Sequence, residues 1–231
     1  MRWRRAVAEG IGTFFLVFIG PGSVAVNAYS HGALGQTGIA LAFGFVVLAM
    51  VYTLGHLSGA HLNPAVTLAF WSVRQLPGRE VAPYLGAQCV GAVLAAGVLR
   101  YLLGPLADAG ATLPHIGVAR SFIVELLLSF ALMLVIMAAA TDGRVAEGFA
   151  GVAVGLTVGF CALLGPLTGA SMNPARSLGP AAVSGLWEAH WLYWVAPISG
   201  MLLAARVYEF LRPAMPPAPR DGGSPSAVPP R

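Results

Sequence analysis

Six long apolar runs constrain the fold of this chain more than any other feature of its sequence. They cover residues 6–27, 37–54, 81–103, 120–141, 148–164 and 190–211. A helix needs about 20 mostly apolar residues to cross roughly 30 Å of hydrocarbon. Only 10% of the 231 residues are charged, whereas a soluble domain carries about 25%. We therefore predict an all-α, multi-pass membrane protein with six transmembrane helices in a lipid bilayer.

Two further apolar stretches, 63–73 and 173–183, are too short to cross. A helix of that length rises about 15 Å, which is half of the bilayer core. Both stretches begin with Asn-Pro-Ala. Asparagine is a preferred N-cap, and proline is favoured at the first helical position. We predict two re-entrant half-helices, each entered from a glycine-containing loop.

The two halves of the chain match each other in three segments, in the same order. Residues 55–65 and 165–175 are identical at seven of eleven positions. The other two matches pair Glu9, Thr13 and Phe14 with Glu125, Ser129 and Phe130, and Val81–Gly86 with Val195–Gly200. Each repeat holds three spans, an odd number, so the second copy enters the membrane from the opposite side. Such inverted repeats place broken helices and a transport site near the bilayer midplane.

The repeats define one channel domain over 1–212, with repeat one at about 5–104 and repeat two at about 120–212. Residues 213–231 are rich in Pro, Gly and Ser and are predicted to form a disordered cytoplasmic tail. All thirteen cationic residues are arginine. Positive residues concentrate on the cytoplasmic side of membrane proteins, which predicts a plasma (inner) membrane protein with both termini cytoplasmic. The arginines then placed inside are Arg2, Arg4, Arg5, Arg74, Arg79, Arg144, Arg212, Arg220 and Arg231.

Other functional classes find little support in the sequence. The arginines are scattered rather than gathered in a basic stripe, which disfavours nucleic-acid binding. Cys89 and Cys161 lie in apolar runs without a ligand partner at metal spacing, so neither a zinc site nor a disulfide framework is predicted. No nucleophile–base or metal constellation indicates a membrane enzyme. We predict neither catalysis nor a bound cofactor.

Paired Asn-Pro-Ala half-helices in a duplicated six-span chain resemble the major intrinsic protein family, the aquaporins and aquaglyceroporins. The resemblance covers residues 5 to about 212. The extended motifs at 58–67 and 168–180 resemble most closely the nodulin-26-like branch and its bacterial relatives. The resemblance implies an aquaporin-like fold and a homotetramer. It also implies passive permeation of water and small uncharged solutes, with ions and protons excluded.

In that family the two Asn-Pro-Ala motifs line the centre of the pore. The resemblance implies that the asparagine amides donate hydrogen bonds to a passing oxygen there. The N-termini of the two half-helices would each place about half a positive charge at the midplane. This field repels cations and protons and leaves neutral molecules nearly untouched. The motif residues are Asn63, Pro64, Ala65, Asn173, Pro174 and Ala175.

The resemblance also implies a selectivity filter near the outer mouth, formed by Phe43, Cys161, Ala170 and Arg176. An ionisable residue inside a membrane is by default functional, and Arg176 would donate to solutes and repel cations. A strict water channel usually has histidine at the position of Cys161. Because that histidine is absent and Ala170 is small, we expect a filter wider and less polar than a water-only filter.

Other family markers conflict, so the set of permeant solutes stays open. Glycerol-type members generally carry aspartate where this chain has Ser177. Ala181, Tyr193 and Trp194 resemble the water-type pattern. We expect water, with glycerol, ammonia, hydrogen peroxide or metalloid acids such as arsenite and boric acid as additions or alternatives.

Two carboxyls, Glu9 and Glu125, stand at equivalent places in the first spans of the two repeats. We predict that each accepts hydrogen bonds from a re-entrant loop, whose irregular backbone must be satisfied inside the membrane. His56 and His61 lie near the cytoplasmic mouth, where they could anchor a loop or act as a pH gate.

An ion-coupled secondary transporter is the alternative from a different class, because it can use inverted repeats and broken helices too. Such a transporter needs paired intramembrane charges that face the lumen. Only Arg176 fits that requirement, and it is cationic.

Overall fold

The computed structural model describes residues 2–146 and 148–212, and the predicted tail at 213–231 lies outside them. The described residues form nine α-helices and one 3₁₀ segment at Gly104–Gly110. The helices are α1 (Arg2–Tyr29), α2 (Gly35–Ser58), α3 (Pro64–Ser72), α4 (Gly78–Leu103), α5 (Val118–Thr141), α6 (Ala150–Ala162), α7 (Gly165–Thr168), α8 (Pro174–Ser184) and α9 (Leu192–Leu211).

Four of these helices, α1, α2, α4 and α5, are long and apolar enough to cross a membrane by length and composition alone. The other two predicted spans are α6 and α9. α6 is apolar but has only 13 residues, fewer than the predicted 148–164. The helix ends at Ala162, and a separate four-residue helix, α7, begins at Gly165. α9 has 20 residues and carries Arg206 and Glu209 in its last turns.

The two predicted half-helices are α3, with nine residues, and α8, with eleven. Each begins at a proline that follows an extended asparagine, with φ of −158° at Asn63 and −150° at Asn173. The side-chain oxygens of these asparagines accept the N–H groups of Ala65 (2.9 Å) and Ala175 (3.0 Å). Both half-helices are therefore capped as their sequence pattern predicts.

Glycines let the long helices approach to backbone contact. A Cβ built on Gly91 of α4 would lie 2.2 Å from the carbonyl oxygen of Gly10 on α1. One built on Gly200 of α9 would lie 2.3 Å from the carbonyl oxygen of Leu126 on α5. Small residues at such crossings allow close packing of transmembrane helices. The first and last long helices of each half are joined in this way.

α1 begins and α9 ends at the same end of the bundle, which we call the proximal end; the opposite end is the distal end. Arg5, in the first turn of α1, donates to the carboxylate of Glu80 in the first turn of α4. Arg212, directly after α9, donates to the carbonyl oxygen of Thr141 at the end of α5 (3.1 Å). These contacts join α1 to α4 and α5 to α9 at the proximal end.

Asp142 makes a second link between α5 and α9 at this end. Its carboxylate accepts from Arg144 Nε (2.8 Å) and from the hydroxyl of Tyr208 (2.8 Å). The hydrogen bonds from Arg144 and Tyr208 hold the pKa of Asp142 well below its ordinary value. Because a lowered carboxyl pKa adds stability that is lost only as the pH falls through it, this link is intact at neutral pH.

Candidate pore

One cavity runs between the helices and touches both loops that precede the half-helices. One side of its wall is formed by the loop residues 59–63 and 170–173. Apart from Arg176, the remainder is apolar and comes mainly from α2, α5 and α6, through Val47, Val51, Leu132, Ile136, Val154 and Val158. A passing molecule therefore meets irregular, polar backbone on one side and aliphatic side chains on the other.

Glu9 is fully buried and holds the first loop. Its Oε1 accepts from Ser58 Oγ (2.7 Å) and the N–H of His61 (2.9 Å). Its Oε2 accepts from the N–H of Leu62 (2.6 Å) and from Gln88 Nε2 (2.8 Å). Four donors thus surround one carboxylate, and two of them are backbone groups that would otherwise have no partner inside the membrane.

Glu125 holds the second loop with the same pattern. Its Oε1 accepts from Thr168 Oγ1 (2.7 Å) and the N–H of Ser171 (2.8 Å). Its Oε2 accepts from the N–H of Met172 (2.8 Å). The sequence repeat thus corresponds to a repeated contact, in which a carboxylate on the first span of each half meets the loop of that half.

The loops need this support because their backbone is strained. Four non-glycine residues have positive φ: Ala60 (46°), Leu62 (52°), Ala170 (41°) and Met172 (52°). Such conformations cost about 1–3 kcal/mol each and persist only where the surroundings enforce them. The two halves adopt the same strained path, so we attribute the strain to the shape required of the cavity wall.

Two tyrosines add a further contact to each loop. The hydroxyl of Tyr84 donates to the carbonyl oxygen of Ser58 (2.9 Å), and that of Tyr193 donates to the carbonyl oxygen of Thr168 (2.8 Å). Tyr84 and Tyr193 do not occupy equivalent positions in the aligned repeats. Aligning the two repeats of the sequence therefore does not predict that these two tyrosines share a role.

The two half-helices meet N-terminus to N-terminus. The Nδ2 of Asn63 donates to the carbonyl oxygen of Met172 (2.8 Å), and the Nδ2 of Asn173 donates to that of Leu62 (2.8 Å). Each Nδ2 carries two protons, so one remains for a molecule in the cavity, which both asparagines line. The oxygen of each side chain caps its own helix while the nitrogen binds the opposite loop.

Three of the four predicted filter residues come together on the cavity wall: Phe43, Ala170 and Arg176. Arg176 is only 3% exposed. Its guanidinium carbon lies 5.2 Å from the centroid of the Phe43 ring, and its Nη1 donates to the carbonyl oxygen of Gly110 (2.6 Å). Nε of Arg176 has no hydrogen-bond partner in the described part of the chain. The structure thus presents one buried cation beside an aromatic ring.

The fourth predicted filter residue, Cys161, is not among the residues that line this cavity. It is buried, at 7% exposure, three residues beyond Val158, which does line the cavity. The two histidines also differ. His61 lines the cavity, and its Nδ1 lies 3.1 Å from Thr67 Oγ1. His56 is exposed at the end of α2, and among the described residues it forms no hydrogen bond to either loop.

Sequence reasoning missed Gln88, whose amide reaches Glu9, and Gly110, whose carbonyl receives Arg176. An amide within the otherwise apolar run 81–103 was a usable signal for Gln88. A backbone carbonyl leaves no such signal, because every residue has one.

Comparison with known proteins identifies the family of this chain. The profile of the major intrinsic proteins matches residues 1–208. The chain belongs to the major intrinsic protein family. As a member it is a passive channel for water and small solutes and not an enzyme, as the sequence predicts.

The relatives of this channel include plant proteins and a solved structure. It is 44% identical over 211 residues to aquaporin NIP1-1 of Oryza sativa subsp. japonica, covering 90% of this chain and 74% of the relative. Nodulin-26 of Glycine max is also 44% identical over 211 residues, covering 90% and 78%. The aquaglyceroporin from Plasmodium falciparum superposes with a TM-score of 0.77 at 26% identity, covering 90% and 96%. These matches confirm six transmembrane helices plus two half-helices, with α6 and α9 among the six.

Proposed function

We propose that this channel conducts water together with small uncharged solutes of about the size of glycerol, and excludes ions and protons. The observation that carries the proposal is the buried guanidinium of Arg176 over the ring of Phe43, in a cavity that the small side chain of Ala170 also lines. The guanidinium repels cations and donates hydrogen bonds to oxygen-bearing molecules. An alanine leaves room for a solute larger than water.

Charge exclusion is supported at two levels of the pore. At the centre, the joined N-termini of α3 and α8 each contribute about half a positive charge. At the filter, the guanidinium of Arg176 adds a full positive charge. Both barriers oppose cations and protons, as in aquaporin-type pores generally.

The arrangement of the acidic residues argues against ion-coupled transport. A coupling cation needs a carboxylate that faces the lumen. Among the described residues, neither Glu9 nor Glu125 lines the cavity. The two carboxylates are already engaged by four and three donors respectively. Within 2–146 and 148–212, no acidic group is left to bind a coupling ion in the cavity.

Glycerol is the first solute to test, because the solved structure that superposes on this chain is named an aquaglyceroporin. The plant relatives are named aquaporins and nodulin-26, and water is therefore the reference permeant. Metalloid acids are small, neutral and oxygen-bearing as well, and they form the second group.

We further propose a homotetramer in the plasma (inner) membrane, with the proximal end and both termini in the cytoplasm. The arginine distribution supports this orientation: Arg5, Arg144 and Arg212 lie at the proximal end, whereas Arg100 and Arg120 lie near the distal end. The tetramer rests on the family resemblance alone. Cross-linking in native membranes and protease access to tagged termini test the two proposals.

Stopped-flow measurements on proteoliposomes test the permeation proposal directly. We expect rapid shrinkage in an impermeant osmotic gradient and rapid glycerol entry in a glycerol gradient. Both fluxes should rise linearly with the gradient and be independent of sodium and pH gradients. A flux that saturates or requires an ion gradient would contradict a passive channel.

Cys161 gives a separate test of the filter. If its thiol borders the constriction, a mercurial should reach it and block water flux, and a thiol reductant should restore the flux. Cys161→Ser should resist the block. Cys161→His should shift permeation toward water, because it adds bulk and a polar ring. Water and glycerol fluxes in the three channels, with and without mercurial, provide the measurement.

Cys89 on α4 supplies the matched control. It is partly buried and packs against the core, so Cys89→Ser should leave the block unchanged. If the block persists in Cys161→Ser and vanishes in Cys89→Ser, then Cys161 does not line the filter. The argument for a wide filter would then rest on Ala170 alone.

A further inference from the structure

A hydroxyl outside the half-helices is bonded to the filter segment. Thr112 lies between the 3₁₀ segment and α5 and is 5% exposed. Its Oγ1 donates to the Oγ of Ser177 (2.9 Å), a residue 65 positions later in the chain. Ser177 is fully buried on α8 and directly follows Arg176. A connecting segment thus binds the half-helix at the residue next to the filter arginine.

The bond from Thr112 is the first of a directional chain of three hydroxyls. Ser171 Oγ donates to the carbonyl oxygen of Asn173 (2.9 Å), and the hydroxyl oxygens of Ser171 and Ser177 are 2.5 Å apart. Each hydroxyl has one proton to donate. Because Ser171 gives its proton to the carbonyl, Ser177 must donate to Ser171, and Thr112 must donate to Ser177. This series of hydrogen bonds therefore runs from the hydroxyl of Thr112 to the backbone carbonyl of Asn173.

The same connecting segment also holds the filter arginine. The carbonyl oxygen of Gly110 accepts from Arg176 Nη1 (2.6 Å). Gly110 is packed against α1, since a Cβ built there would lie 2.8 Å from Cβ of Pro21. Thr112 is packed against the second loop, since a Cβ built on Gly169 would lie 2.7 Å from Cγ2 of Thr112. Residues 110–112 are thus packed between α1 and the second loop, and they bind two consecutive residues of α8, Arg176 and Ser177.

The first half of the chain uses a different support at the equivalent position. Thr67 corresponds to Ser177, and it receives a hydrogen bond from Gln88 Nε2 (3.0 Å) while donating to the carbonyl oxygen of Asn63 (3.1 Å). Gln88 belongs to a transmembrane helix, and its amide also binds Glu9. The donor in the second half belongs to a connecting segment instead, so removing its hydroxyl breaks no hydrogen bond between two long helices.

We propose that Thr112 is a positioning residue for solute selectivity, which fixes the Arg176–Ser177 step of α8 through its bond to Ser177. The inference rests on the proposed role of Arg176 in the filter. Thr112 does not line the cavity, so it acts on solutes only through Arg176 and Ser177. Without the bond, the carbonyl of Gly110 is left to hold Arg176 without the second attachment to α8. The guanidinium then moves more freely and leaves a wider opening.

Thr112→Val is the decisive variant, because valine has the shape of threonine without the donor. We expect the ratio of glycerol to water permeability in proteoliposomes to rise by about three- to tenfold, the factor that one neutral hydrogen bond represents. Thr112→Ser keeps the hydroxyl and should restore the wild-type ratio. Ser177→Ala removes the acceptor and should raise the ratio in the same way. The double variant Thr112→Val with Ser177→Ala should match the single ones.

Thr157→Val is the matched control: within the described part of the chain the Thr157 hydroxyl bonds only to its own helix, at Ala153 (2.8 Å), and Thr157 does not line the cavity. It should leave the ratio unchanged. Equal changes of both permeabilities in Thr112→Val, or no rescue by serine, would overturn the inference. Should Thr112→Val fail to fold, Ser177→Ala decides by the same ratio. If Arg176→Ala shifts the ratio and Thr112→Val does not, only this inference fails. If neither shifts it, the proposed filter fails too.

Discussion

Glu125→Ala should sharply reduce the yield of folded channel. The substitution leaves Thr168 Oγ1 and the N–H groups of Ser171 and Met172 buried without their acceptor. Each unsatisfied group costs about 1–3 kcal/mol, against a total stability of about 5–15 kcal/mol for a typical protein. Monodisperse yield after detergent extraction and the melting temperature measure the loss. Glu125→Gln keeps an acceptor oxygen, so its yield and melting temperature should lie between those of the wild type and of Glu125→Ala.

The control for this prediction is Glu188→Ala, because Glu188 is exposed and its removal should change neither yield nor melting temperature. Glu9→Ala should behave like Glu125→Ala, since Glu9 accepts from four donors. A Glu125 variant with normal yield and stability but without transport would contradict the structural role. It would point instead to direct participation of the carboxyl in permeation.

Arg176→Ala should give the largest change in selectivity. It removes the charge from the filter and opens the space over Phe43. The ratio of glycerol to water permeability should therefore rise about tenfold, the factor that ~1.4 kcal/mol of discrimination produces. Protons should leak only partly, because the positive N-termini of α3 and α8 remain. Solute fluxes and the decay of a pH gradient in proteoliposomes measure both effects.

Arg176→Lys separates charge from shape. Lysine keeps the positive charge but lacks the planar fork that binds Gly110 and stacks on Phe43. We expect proton exclusion to be retained and solute selectivity to change. Arg120→Ala, at an exposed position in α5, is the neutral control. Unchanged selectivity in both Arg176 variants would show that this residue does not border the constriction.

The spans could be predicted because membrane burial acts on each segment locally. Long apolar runs predicted α1, α2, α4 and α5 closely; for example, the run 120–141 became Val118–Thr141. The half-helices followed from Asn-Pro at their starts, which is also a local signal. The run 148–164 was harder, because it stays apolar across the break between α6 and α7. Hydropathy does not register a change of backbone direction.

The supporting contacts of the pore could be predicted only where the repeat displayed them twice. Glu9 and Glu125 were recognisable because the same carboxyl recurs at the same place. Thr112 was not, because its partner lies 65 residues away and the described residues of the first half contain no counterpart to it. Contacts between distant segments depend on the assembled bundle, and composition and periodicity do not report them.

The exchanged hydrogen bonds at the centre of the pore have a consequence for the temperature dependence of transport. Asn63 and Asn173 each bind the opposite loop, so the two halves cannot rock apart without breaking both bonds. A carrier that alternates between two conformations must cross such a barrier in every cycle, and its rate climbs steeply on warming. In this channel, molecules pass without a change in the conformation of the protein. The activation energy of flux should therefore be low, close to that of diffusion in water, and the channel should remain open in the cold.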